Sequence, residues 1–149
     1  MSAAADYTEN RTLDFWLKAN SQTTTAPATV YVALFNSDPS LGSTAENLEA
    51  GIISNECQGG GYERQTASFG TISNGSVSTD ANITFPTATD ANWGTITHIA
   101  VMDADGEYVE GDSAGSGNVL FYGALDTARE ILQDDTFQIT SGSLTVTLA

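Results

Sequence analysis

The chain has 149 residues, 19 of them acidic and 4 basic, for a formal charge of −15. That length supports one domain around a single core. Four scattered cations cannot neutralise a row of phosphates or hold an anionic membrane surface, and the longest apolar run, Val30 to Phe35, falls far short of the roughly 18 residues of a membrane span. The sequence therefore predicts no nucleic-acid partner and no membrane partner. Cys57 is the only cysteine, so no internal disulfide forms and stability rests on packing or on partners. No cationic segment followed by an apolar stretch opens the chain, so no secretory signal is predicted.

Residues 1–5 read as a loose tail and residues 6–20 as an N-terminal helix. Asp6 and Glu9 have the spacing of a capping box, and Lys18 lies near the other end, as the helix dipole favours. Leu13, Trp16 and Leu17 share one face at i, i+3 and i+4, while Phe15 falls off it. A short helix with large apolar groups on two sides needs a clamp, either the domain's own sheet or a neighbouring subunit.

Residues 21–149 read as a single β domain. Thr29 to Phe35 is apolar on both faces and reads as a central strand, ended by the turn residues up to Pro39. Residues 40–60 form a long polar loop with a short helical turn near Asn47 to Ile53. Tyr62 to Phe69 and Ser76 to Phe85 follow as strands, the second half-buried and stopped by Pro86. Gly94 to Met102 is a strand, and Asp103 to Gly106 looks like a turn into Glu107 to Glu110. Residues 103–117 make a second long loop before strands at Asn118 to Leu125, Thr136 to Thr140 and Ser143 to Leu148. Seven to nine short strands with frequent turns predict a mainly β fold, an antiparallel β-sandwich or barrel with one short N-terminal helix.

The sequence offers little chemistry. His98 is the only histidine and sits inside a strand, where a structural role is expected. Cys57 has no nearby histidine, and Glu56 beside it opposes thiolate formation. Gly59-Gly60-Gly61 and Gly115-Ser116-Gly117 do not have the spacing of phosphate-binding loops and precede strands rather than helices. Asp103, Asp105, Glu107, Glu110 and Asp112 crowd together, but their spacing is not that of a calcium loop, and a solvated acidic hairpin is expected. No catalytic group, cofactor or metal is predicted. The cations Arg11, Lys18, Arg64 and Arg129 stand out by scarcity. Each is read either as solvated or paired within the chain, or as an inter-subunit contact. With Leu13, Phe15, Trp16 and Tyr62 they make up the candidate partner interface.

Several ordered segments carry a family resemblance. They are Leu13 to Leu17, Pro27 to Phe35 with Ser37-Asp38-Pro39, Gly59 to Gln65, Ile83 to Thr89, Trp93 to His98, Leu120 to Leu125 and Gly142 to Leu148. In this order, across nearly the whole chain, they resemble a family of small virion structural proteins of tailed bacteriophages, often described as tail-fibre-like. The loops at 40–58 and 103–117 look longer and more acidic than in that family. The resemblance implies a non-enzymatic virion component. The leading expectation is a capsid cement (decoration) protein on the outer shell that bridges copies of the major capsid protein. It would assemble with copies of itself, as trimers in many cement proteins. The alternative is a tail or fibre component, an adaptor or receptor-binding domain. For the cement reading, the −15 charge suits an outer surface away from DNA and discourages self-aggregation before assembly.

Overall fold

A computed structural model describes residues 3–18, 25–106 and 116–148. In chain order these residues form β1 (Ala3–Ala4), α1 (Asp6–Leu17), β2 (Val30–Asn36), α2 (Thr44–Glu49), β3 (Gln65–Ala67), β4 (Ser76–Ser78), β5 (Ile83–Thr87), β6 (Gly94–Met102), β7 (Val119–Ile131), β8 (Thr136–Ile139) and β9 (Thr145–Thr147). One antiparallel sheet runs β1-β7-β6-β2-β3, and the pairs β4-β9 and β5-β8 complete the β structure. This is the mainly β, antiparallel architecture expected from the sequence, in the open, layered form rather than a closed barrel.

The alternation of β2 organises both cores. Successive side chains of a strand point to opposite faces. Val32 and Leu34 join Ile83, Phe85, Phe137, Ile139 and Val146 in the core between the five-stranded sheet and the two small pairs. Ala33 and Phe35 face the other way, onto Leu48 of α2, Ile53 and Ala5. All four of these β2 side chains are fully buried, as the central placement of this segment predicts.

The expected strand over Ser76 to Phe85 is divided into β4 and β5. Its partner is divided likewise, into β8 and β9, and the two halves keep nearly one register, with Ser78 opposite Thr145 and Ile83 opposite Ile139. At the break the Asn82 side chain takes the Ser141 N–H (2.8 Å), and the Thr79 carbonyl takes the Gly142 N–H (2.7 Å). One side-chain and one backbone bond thus substitute for the ladder between Ser78 and Ile83 and kink one long ribbon. Pro86 does not stop this strand but lies within β5, in a register shift between Thr84 and Thr87 where its missing N–H costs no ladder bond. β7 runs on to Ile131 because a bulge absorbs the mismatch: Arg129 pairs with Ile96 and Ala124 with His98, leaving Leu125 to Ala128 opposite Thr97.

Four further local expectations shift. The tail is not loose at Ala3 and Ala4, which pair with Tyr122 and Phe121. Ala5 is fully buried and its N–H bonds to the Leu120 carbonyl (3.1 Å), so Ala5, not Asp6, becomes the N-cap of α1 and the capping box does not form. α1 ends at Leu17, short of residue 20. In the 40–60 loop the helical turn starts earlier than expected, because the Ser43 hydroxyl accepts the Glu46 N–H (3.4 Å) and Leu48 buries beneath it. The expected hairpin arm from Glu107 to Glu110 lies outside the described residues.

The glycine run at 59–61 is explained by close approach. A Cβ on Gly60 would sit 2.3 Å from the Thr89 carbonyl oxygen, whereas one on Gly70 would meet nothing nearer than 3.6 Å. Gly60→Ala should lower unfolding free energy by about 2 kcal/mol. Gly70→Ala should stay within about 0.5 kcal/mol of the unsubstituted chain. Urea titrations of the two variants check this; equal midpoints would refute the packing argument.

Candidate interaction surface

Two of the singled-out residues lie inside the molecule. Arg64 and Glu56 form a fully buried ion pair with two bonds of 2.7 Å, from Nε to Oε1 and from Nη2 to Oε2. Arg64 Nη1 also donates to the backbone carbonyls of Ser116 (2.6 Å) and Ala104 (2.9 Å). The Tyr62 hydroxyl donates to Glu56 Oε1 (3.0 Å) and accepts the Leu34 N–H (2.9 Å). The Tyr62 ring stacks on Phe85 and meets Trp93 edge-on. Arg64 and Tyr62 therefore leave the candidate interface: the in-chain ion pair, one of the two readings of Arg64, is the one formed. This inward turn also explains why the expected strand from Tyr62 narrows to β3. The sequence signal was available, since a cation among nineteen acids has abundant partners, but nothing in spacing singled out Glu56.

α1 presents the opposite situation. Its partly buried positions are Tyr7, Thr8, Arg11 and Asp14, and none of its residues is fully buried. Leu13, Trp16 and Leu17 point outward at 55%, 76% and 75% exposure. The helix is inside out, with its polar stripe against the domain and its apolar stripe toward solvent. The domain's own sheet therefore does not clamp this face. Phe15 lies edge-on to Trp16 (5.2 Å between centroids), Arg11 sits over the Tyr7 ring, and Lys18 pairs with Asp14 at 2.7 Å. A twelve-residue helix is marginal alone in water, and α1 is held on the domain by the β1–β7 pairing and the buried Ala5 at its start.

The remaining residues fall elsewhere. Arg129 is exposed on β7 just past the bulge, about as far along the sheet from α1 as β7 allows. His98 is half-buried, with Nδ1 2.9 Å from the Thr97 hydroxyl, and burial pushes its pKa below the usual value. Asp103 is occupied structurally: its carboxylate accepts the Asn118 N–H (2.6 Å) and the Asn118 amide (2.8 Å), which ties the two ends of the 103–117 loop. Glu107, Tyr108, Glu110 and Asp112 lie outside the described residues.

A surface missed by sequence reading opens at one end of the layers. Val30, Phe69, Ile72, Val77, Leu120 and Val146 line a groove whose lining holds no charged or polar side chain. Ile72 stands on its rim at 74% exposure. Its signal was an apolar residue placed in the turn between Gly70 and Gly75.

A family model described as Podophage GP4 fiber I protein gp80 matches residues 3–147. The chain belongs to this family of phage fibre proteins, and so to the structural proteins of the virion, as its resemblance implied. No curated protein matches the chain.

The buried pair makes a stability prediction. Arg64→Met or Glu56→Leu alone strands a buried charge and should cost about 3–5 kcal/mol. The double substitution should recover part of that loss, the remainder reflecting the unpaired carbonyls of Ala104 and Ser116. Urea unfolding of the four chains checks it; additive losses would refute the coupling. A second prediction concerns alkali. Burial, and then the Glu56 charge, raise the Tyr62 phenol well above its ordinary value of 10.0. The folded chain thus keeps a proton that the unfolded chain releases, so this contribution is complete below about pH 10 and is lost as pH rises beyond it. Urea midpoints should fall between pH 9 and 11, and less steeply in Tyr62→Phe; parallel slopes would refute the assignment.

Proposed function

From membership of this fibre family, we propose that the chain is a non-catalytic component of the phage tail-fibre apparatus. It serves as a rigid β module that joins copies of itself or other virion proteins through α1. The match to a fibre-protein family over nearly the entire chain is the observation that carries this reading. It favours the fibre position over the capsid cement position, in which the partner would be the major capsid protein. The inside-out helix supplies the means of attachment. Its apolar stripe contributes nothing to the domain's own core, so its exposure is accounted for by a contact made in the virion. The interior chemistry supports a structural role as well, because the buried charged groups are committed to each other and to backbone carbonyls rather than to a cleft.

Two measurements test this. Quantitative mass spectrometry of purified virions should find tens of copies per particle, with the protein in the tail region of a virion map. Hundreds of copies on the shell would overturn the fibre reading in favour of the cement one. In the full chain, Leu13→Ser with Trp16→Ser should leave the urea midpoint within about 0.5 kcal/mol, because neither side chain is buried in the fold. The same substitutions should abolish incorporation into virions. A large loss of stability, or normal incorporation, would refute the role given to α1.

A further inference from the structure

We propose that the Asn74-Gly75 step is a site of spontaneous covalent modification, at which the Asn74 amide is lost and an acidic residue takes its place. Asn74 is the only asparagine of the chain that a glycine follows. The chemistry needs only the chain and water, and it is independent of where in the virion the chain sits. The Gly75 nitrogen, its proton taken by hydroxide, attacks Asn74 Cγ. The N–Cγ bond forms, the side-chain nitrogen leaves with that proton as ammonia, and a five-membered imide remains. Water then opens the ring at either carbonyl. Opening at one leaves aspartate at 74. Opening at the other leaves isoaspartate, in which the main chain runs through the former side chain. Each event releases one ammonia and consumes one water, with no change of oxidation state.

The structure singles out this asparagine. Asn74 and Gly75 are exposed in the turn before β4. The Gly75 N–H donates no hydrogen bond among the described residues, and glycine has no side chain to obstruct its nitrogen. The Asn74 side chain also makes no bond among the described residues. In contrast, those of Asn36, Asn47, Asn55, Asn82, Asn92 and Asn118 are all held by hydrogen bonds. Asn10 lies inside α1 and is followed by Arg11.

The fold sets the rate. Asn74 and Gly75 both have positive φ, 51° and 72°, the two-residue hairpin turn that Asn-Gly favours. Ser73 and Ser76 close it with reciprocal backbone bonds of 2.9 and 3.0 Å, and the Gly75 carbonyl takes the Leu148 N–H (2.8 Å). Ring closure rotates the peptide between Asn74 and Gly75 so that its nitrogen meets the side-chain carbon. Those three bonds oppose the rotation, so the turn opens locally before the reaction proceeds. The two products then act differently on the turn. Aspartate tolerates the left-handed conformation as asparagine does and keeps the turn. Isoaspartate adds a backbone atom to a loop whose length fixes the pairing of Ser73 with Ser76. Both place a new negative charge in the turn that carries Ile72, on the rim of the uncharged groove.

Incubation of the full chain in mildly alkaline buffer tests this, read by tandem mass spectrometry of its proteolytic peptides. The amide-to-acid mass shift should appear first in the peptide that contains Asn74. It should appear as two products, one of them co-migrating with the same peptide from Asn74→Asp. Conversion should quicken as pH rises, and quicken further when urea unfolds the chain. Earlier conversion at another asparagine, no conversion at Asn74, or equal rates in the folded and unfolded chain would each overturn the proposal. Chromatography separates the two aged forms, and urea titration then reads the turn. The aspartate form and Asn74→Asp should keep the midpoint of the unmodified chain, while the isoaspartate form should unfold at lower urea. Equal midpoints for the two aged forms would refute the role given to the turn.

Discussion

The fold depends on one buried charge pair. Placing a guanidinium in an apolar interior is costly unless its donors are met, and Arg64 meets that condition with the Glu56 carboxylate and two backbone carbonyls. The consequences spread along the chain. Glu56 lies in an isolated bridge with Phe35, Tyr62 links the carboxylate to the Leu34 N–H, and Ala104 and Ser116 are drawn to the same cation from either side of the second long loop. A single side chain therefore holds the Glu56 to Arg64 segment over β2 and gathers both flanks of the 103–117 loop. Fork-shaped, bidentate geometry makes arginine suited to this, where a lysine ammonium with three donors could not supply the four bonds that Arg64 makes.

The pair also separates interior from surface. It is neutral as a unit, so it removes one acid and one base from the outside and leaves the net charge unchanged. What remains outside is an acidic coat in which most of the scarce cations are engaged locally: Lys18 with Asp14, and Arg11 over Tyr7. Such a surface resists indiscriminate association. Against that background, the uncharged groove and the outward stripe of α1 are not ordinary scattered surface hydrophobics. Each is contiguous, and each lacks a covering element among the described residues.

Much of this was legible in the sequence, for reasons that can be stated residue by residue. The two-faced apolar run from Val30 to Phe35 predicts a central strand because period-2 alternation puts Val32 and Leu34 in one core and Ala33 and Phe35 in the other. The apolar face of Leu13, Trp16 and Leu17 was equally visible, because helical periodicity is local. Periodicity could not reveal its orientation, since that is set by the distant pairing of Ala3 and Ala4 with β7. The identity of the Arg64 partner was hidden for a related reason. Nineteen acids supply too many candidates, and only the folding of the Glu56 segment against Phe35 selects one. The groove was least legible, because its lining comes from six separate strand or turn segments. Pro86 misled for a specific reason: a proline terminates a regular ladder, but it fits a register shift where no bond is requested.

These features combine into a directional device. A β-sandwich locked by a buried ion pair is a stiff body, so a contact made at one place fixes the orientation of the whole copy. α1 is tied to the β7 edge by a short strand and by the buried Ala5, so its apolar stripe has a defined position on that body. The groove sits where β2, β6 and β7 reach one end of the sheet and Val77 and Val146 approach from the facing layer. Leu120 borders both the groove and the cleft beneath α1. The stripe of α1 and the groove thus lie toward the same end of the molecule.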